Sequence, residues 1–517
     1  MKPISPLQQL PPEILHMIFK SLRQHIPDLR LVCKSFADIG LHHLLSSYHL
    51  VFKKSSFEQL LEISQHPVLS KCVRSIFYEA DTLAEYDTRK EWEEHIADYH
   101  YPDFNELSSI RNIYSGSART QRASRRAYVK CTQGARSSWS ERKLREAYRS
   151  YRDCISDQRE MTSLAYNANS INDAIKQLPN LVSLSVSLSK CLASRASTKP
   201  VESAFSRTLY RPYGDRRQPD HEGVTQLRSL LLGALESGRK IEELICGFVD
   251  WKFFKVEVEI FARLKMAVHN LSVLELYIST HSSRDDPNDD SLYRPAIIEC
   301  ASYVEGGRLR DFVSAAPNLT ELYLEFDSNI PQSPARLIDV VGTTTWPSLY
   351  CAHFSFISFT DDVLIEFYRR HSSTLKGIGF DEIKLLQGTW QDLFPKIKAT
   401  LELKLVEIAG DLEEAAILYD FGLPSKDSRD QGPLVRRVVE RYLLESPKDS
   451  LLPDLRNVVE YDNEHAFHSD DSDLELADLF GDSFDDSEGD TLDGSETSST
   501  EDASIDQDIP AASIQSP

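Results

Sequence analysis

Several stretches of this chain hold residue types that could do chemistry. Gly233-Ala234-Leu235-Glu236-Ser237-Gly238-Arg239-Lys240 has nearly the glycine spacing of a phosphate loop, in which backbone N–H groups cradle a nucleotide. Arg239 stands where lysine should follow glycine, and no Ser or Thr succeeds it, so the cradle is incomplete and a helix ending at Gly238 accounts for the stretch. His42-His43 offers two imidazoles without a His-Glu-x-x-His frame, which places them at a helix end and not on a metal. No Gly-x-Ser-x-Gly elbow pairs a nucleophile with a base. Acidic pairs are abundant after residue 469, but acid-base catalysis needs two carboxyl groups at fixed separation in a low-dielectric site, which a chain lacking apolar content cannot provide. The expectation is a protein with no catalytic residue, no metal and no cofactor.

Residues 111 to 152 hold twelve Arg or Lys against two Glu, interleaved with Tyr114, Tyr128, Trp139, Tyr148 and Tyr151. Basic and aromatic side chains together neutralise phosphates and stack on bases, so this composition suits RNA or single-stranded DNA. The spacing of Arg142, Glu146 and Arg149 equally suits a solvated helix with salt-linked faces, or a segment paired with an acidic partner.

The formal charge of −22 over 517 residues is concentrated at one end, because residues 469 to 517 contain sixteen Asp or Glu and no Lys or Arg. That tail is rich in Ser and Thr and poor in aromatics, so it cannot bury enough apolar area to offset the entropy of ordering, and disorder is expected over 461–517. Ser472, Ser483, Ser487 and Ser499 precede acidic residues in the manner of acidophilic kinase sites, and Leu474, Leu476, Leu479 and Phe480 could form a short docking helix. The rest, with 41% hydrophobic residues overall, is long enough for two or three folded domains. Eight scattered cysteines without a Cys-x-x-Cys pair indicate neither a zinc site nor a disulfide framework. With no signal-like start and no apolar run long enough to cross a bilayer, the expected compartment is reduced, cytoplasmic or nuclear.

At the amino end, Ile14, Leu15, Ile18, Phe19 and Leu22 recur at steps of three to four, the spacing of one helix face opening after Pro11-Pro12. A second helix is expected from Asp28, with Leu29, Val32 and Phe36 in a stripe. Two helices of this size bury little by themselves, so they either cap the remaining fold or leave apolar surface for a partner. The paired segments Leu10-Pro11-Pro12-Glu13-Ile14-Leu15 and Leu31-Val32-Cys33-Lys34-Ser35-Phe36 resemble an F-box over residues 5–50, with a slightly short link between them. The resemblance implies docking onto the Skp-family adaptor of a cullin-RING ubiquitin ligase. It assigns Leu10, Pro11, Ile14, Leu15, Ile18, Leu31, Val32 and Phe36 to the adaptor surface.

Six stretches share an apolar residue followed three and five places later by two more: Leu181/Leu184/Val186, Ile241/Leu244/Cys246, Leu271/Leu274/Leu276, Leu319/Leu322/Leu324, Leu349/Ala352/Phe354 and Leu375/Ile378/Phe380. A degenerate seventh is expected at Leu401/Leu403/Leu405. The spacing resembles a leucine-rich repeat, one strand and one returning helix per unit, although unrelated strands of an ordinary α/β domain would share the alternation. The steps after 241 run 30, 48, 30, 26 and 26, and the polar stretch Ser282 to Asp290 supplies the insertion that the step of 48 requires. Helices are expected over 361–370 and 253–268, one or two long helices over 144–178, and a capping helix over 433–444.

The expected class is therefore α/β: a helical F-box (5–50), a helical and basic connector (51–178), an irregular leucine-rich-repeat solenoid with its cap (179–460) and a disordered acidic tail (461–517). The succession resembles fungal F-box proteins with irregular leucine-rich repeats, which implies a non-catalytic substrate receptor holding an unidentified protein target, with neither membrane nor nucleic acid as partner. The alternative is a leucine-rich-repeat scaffold outside any ligase whose segment 111–152 engages nucleic acid or an acidic partner.

Overall fold

The computed structural model describes residues 10–22, 25–99, 139–163, 166–187, 203–209, 222–280, 290–326, 335–415, 417–422, 434–445 and 450–459. These fall within the first of two compact units, Met1–Phe467. The acidic tail, the insertion at 281–289 and most of the basic stretch, 100–138, lie outside the described residues.

Three helices open the chain: α1 (Pro12–Ser21), α2 (Ile26–Leu29) and α3 (Lys34–Leu44). Pro12 at the first helical position suits the start of α1, since its missing N–H has no partner to lose there. The expected second helix is split. Asp28 lies inside the short α2 instead of capping a long helix, and Leu31, Val32 and Cys33 form the turn before α3.

The chain then builds one sheet, beginning with β1 (Ser47–Val51), α4 (Lys54–Gln65), β2 (Ser75–Glu79), α5 (Arg89–Tyr99), α6 (Glu141–Ser163), α7 (Tyr166–Lys176) and β3 (Ser183–Ser187). It continues through α8 (Glu222–Glu236), β4 (Glu243–Asp250), α9 (Val258–Ala267), β5 (Val273–Ser279), α10 (Asp290–Glu305), α11 (Arg308–Val313) and β6 (Glu321–Phe326). The last part comprises α12 (Leu337–Val341), β7 (Cys351–Ser355), β8 (Ser358–Thr360), α13 (Asp361–His371), β9 (Gly377–Gln387), α14 (Trp390–Thr400), β10 (Leu405–Glu414), β11 (Ile417–Asp420) and α15 (Leu434–Leu444).

The strands pair in chain order from β1 to β7, then β9, β10 and β11, with β8 also on β9. Pairing is parallel throughout except between β10 and β11. Parallel neighbours need crossovers, and the helices supply them.

Register explains the apolar spacing. At every step from one unit to the next, two consecutive N–H groups donate to a single carbonyl of the preceding unit: Arg74 and Ser75 to Ser46, Val182 and Ser183 to Arg74, and so on to Lys404 and Leu405 on Lys376. The residue before each such position is apolar, and the strand positions that follow alternate inward. The same register extends the series to two earlier copies, Leu45/Tyr48/Leu50 and Val73/Ile76/Tyr78, so β1 lies across the expected boundary at residue 50 and β2 within the expected connector.

It also corrects the seventh copy. Val406 pairs with Ile378 and Ile408 with Phe380, while Leu405 is half exposed. The unit is Leu403/Val406/Ile408, because a one-residue slip would turn every side chain of the strand to the opposite face. Returning helices pack on the inward residues: the Phe354 and Phe367 rings meet edge to face at 5.6 Å, and Phe380 and Trp390 at 6.0 Å. The step of 48 holds α10 and α11 in addition to the polar stretch. The expected helix at 253–268 divides into a 3-10 turn (Trp251–Phe254) and α9, and the stretch 144–178, expected as one or two helices, forms two, α6 and α7.

Candidate functional site

Two surfaces could carry function, one on the three N-terminal helices and one on the face of the sheet away from the returning helices. The helical module has its own core, in which Leu15, Phe19, Ile26, Phe36 and Ile39 are buried and Leu10, Ile18, Leu29 and Cys33 pack against them. Among the described residues, none of the sheet joins that cluster. The eight residues assigned from sequence therefore divide. Leu15 and Phe36, 2% and 3% exposed, hold the module together; Leu10 and Ile18 are partly covered; Pro11, Ile14, Leu31 and Val32 face outward.

The exposure is large for apolar side chains, 41% for Ile14, 58% for Val32 and 85% for Leu31. Met17 and Leu22 join them on the surface and were not among the sequence-assigned residues. Met17 stands one turn beyond Ile14 on α1, and that i, i+3 spacing was the signal that could have found it. Leu31 and Val32 are exposed because the turn between α2 and α3 lifts them off the stripe that a continuous helix would have buried. His43 lies near the end of α3, its Nε2 3.0 Å from His16 Nδ1 and its ring stacked on Phe19. Among the described residues no group of three or more His, Cys, Asp or Glu is placed to hold a metal ion.

The described part of the basic segment is structural. Tyr151 is fully buried, donating its hydroxyl to the Ala84 carbonyl at 2.7 Å and accepting from Tyr86 N–H at 2.9 Å. Tyr148 and Trp139 pack against the same cluster, with Tyr148 5.3 Å from Trp92. Three of the five aromatics expected to stack on bases are thus used by the protein's own core. Arg142 pairs with Glu146, and Arg89 and Arg145 with Glu141, the salt-linked helix of the alternative reading. Residues 111–138 lie outside the described residues. The phosphate-loop-like stretch ends α8: Gly238 takes a φ of +65°, open to glycine at no steric cost, and its N–H donates to Leu235 while that of Arg239 donates to Ala234.

On the sheet, the positions between the inward residues form a second face. Register sets Glu275, Tyr323, His353, Gly379 and Glu407 in one row, and Tyr277, Glu325, Ser355, Asp381 and Ala409 in the next. Among the described residues these two rows carry four acids, Glu275, Glu325, Asp381 and Glu407, and no Lys or Arg; farther along the strands Lys384 of β9 pairs with Glu413 of β10. A recess of about 180 Å³ opens there, lined by Tyr277, Tyr323, Glu325, His353, Asp381 and Glu407 above the Leu276, Leu324 and Ala409 floor. The rings of Tyr323 and His353 stack at 5.7 Å, and Tyr323 Oη lies 3.6 Å from Cys351 Sγ.

Burial, reinforced by the neighbouring Asp381, pushes the Glu325 carboxyl up to about 8, and burial likewise raises Asp381. Beside the recess, burial with Asp411 and Asp381 raises Glu382 to about 7. Sequence reasoning located the strands but not this recess. The available signal was the recurrence of acids at non-apolar strand positions, Glu275, Glu325, Asp381 and Glu407.

No protein-family model matches the chain, and no curated protein matches it. Among the described residues no helix is long and apolar enough to cross a membrane.

Proposed function

We propose that this protein is the substrate-recognition adaptor of a Skp-cullin-F-box ubiquitin ligase, docking the Skp-family adaptor through α1 to α3 and a protein target through a leucine-rich-repeat solenoid. One observation carries the reading: a helical module with a closed core of its own still leaves Ile14, Met17, Leu22, Leu31 and Val32 in solvent. Apolar side chains concentrated in this way on one small module mark a surface that another protein covers. The mechanism needs no catalytic group. A target held on the sheet is kept near a ubiquitin-charged enzyme carried by other subunits, which raises the effective concentration of its lysines.

The test is co-purification of the full chain with a Skp-family adaptor. Ile14→Asp with Val32→Asp should weaken the complex by about 2 kcal/mol or more, roughly thirtyfold, while leaving the melting temperature nearly unchanged because neither side chain belongs to the module's core. Leu15→Ala should instead lower stability first. Absence of any complex with the unaltered chain, or a complex indifferent to the paired aspartates, would sink the proposal.

A further inference from the structure

We propose that the recess on the sheet face away from the returning helices takes an arginine side chain of the bound target protein. This deepens the adaptor reading and rests on it for the identity of the partner, though not for the chemistry of the recess.

The first ground is charge. The acids that line the recess, Glu325, Asp381 and Glu407, have no Lys or Arg among the other lining residues, so an acidic ligand would meet repulsion there and a neutral one unmatched polarity. The second is shape. About 180 Å³ is room for one side chain and not for a cofactor, and its walls place the stacked Tyr323 and His353 rings beside the Glu325, Asp381 and Glu407 carboxyls. A planar guanidinium, weakly hydrated and able to hydrogen-bond two carboxylates while lying on an aromatic face, uses both features; a compact ammonium uses only the charge.

The third ground is an unmet need within the protein. Ser355, fully buried in the row between Glu325 and Asp381, turns its hydroxyl toward Asp381 without reaching a hydrogen bond of standard geometry. Two carboxyl groups and a hydroxyl set together in partial burial are the partners that a cation entering the recess would meet.

The protonation of Glu325 follows from the same crowding. The groups facing it are Tyr277 on β5, Tyr323 on its own strand, His353 on β7, Asp381 on β9 and Glu407 on β10, with no Lys or Arg among the lining residues. An arriving guanidinium favours the charged carboxylate, so binding expels a proton while the free pocket holds one. Affinity for an arginine peptide should therefore rise with pH from 7 to about 8, by up to tenfold per unit, and level off above it.

The experiment is fluorescence anisotropy of the full chain with four labelled peptide pools, random except for one fixed Arg, Lys, Ala or Glu. The Arg pool should bind at least tenfold more tightly than the Ala and Glu pools and more tightly than the Lys pool. Glu325→Gln with Asp381→Asn should remove that preference, and so should Glu407→Lys, an exposed rim substitution that cannot unfold the sheet. Equal binding of all four pools, or an Arg preference unchanged in both variants, would overturn the inference. Co-purification of the Skp-family adaptor, measured on the same preparations, separates the two proposals: a lost adaptor with an intact Arg preference defeats only the ligase reading, and the reverse defeats only the recess.

Discussion

His353 lies flat over Gly379 of the neighbouring strand, so close that a β-carbon at 379 would stand 1.9 Å from its Nδ1. Glycine at this strand position is therefore explained by the side chain that occupies its place, not by backbone conformation. Gly379→Ala should displace the ring and break its stacking on Tyr323, at a cost of roughly 1–3 kcal/mol, the usual scale of overpacking. Urea denaturation checks the size of the effect. The double variant with His353→Ala should recover most of the loss, and if it does not, the two residues do not compete for the same space.

The carboxyl of Glu325 makes stability depend on pH in a definite direction. Its folded value, about 8, lies above the ordinary 4.5, so the folded chain keeps a proton that the unfolded chain releases. The stability contributed by that proton is full below about 4.5 and is lost as pH rises through about 8. Glu325→Gln, which keeps the shape without the charge, should accordingly be the more stable protein at pH 9, by roughly 1–2 kcal/mol once residual solvent screening is allowed for, and no different at pH 4. Chemical denaturation of both proteins at the two pH values measures this. An advantage of the same size at pH 4 and pH 9 would show that the carboxyl is not held protonated.

Much of the architecture was legible because the inward strand positions obey a strict period. Leu271/Leu274/Leu276 and its counterparts are apolar since nothing else packs between sheet and helices. Two copies escaped notice for a physical reason: Tyr48 and Tyr78 fill inward positions usually taken by aliphatic residues, and 108 residues separate Val73 from Leu181, which hides the repeat. At the amino end, periodicity identified the apolar residues but not their duties. Ile14 and Leu15 are neighbours of similar type, yet one is half exposed and the other interior, a division set by how α3 folds back across α1 after the turn at Leu31 to Cys33. The recess was illegible because the side chains that line it come from five strands, and only the parallel register brings Tyr277, Glu325, Asp381 and Glu407 together.

The far end of the sheet depends on α15. Leu434, Val435, Val438, Val439, Tyr442 and Leu443 are buried on one side of that helix, and the Glu440 carboxylate accepts the Ile408 N–H of β10 at 3.3 Å. Lys398 of α14 reaches the same helix, donating from Nζ to the Tyr442 carbonyl at 2.6 Å with the ammonium 4.0 Å from the Tyr442 ring. With α15 covering the end of the sheet in this way, removing that cover would leave apolar surface of β10 and α14 open to water. Val438→Asp places an unpaired carboxyl in that contact and should lower stability by roughly 3 kcal/mol or more, read as a fall in the melting temperature and as early proteolytic cleavage between β10 and α15. Adaptor co-purification should persist below the transition, because the core of α1 to α3 shares no residue with this end. A Val438→Asp protein that melts like the unaltered chain would mean that α15 rests on the sheet without holding it.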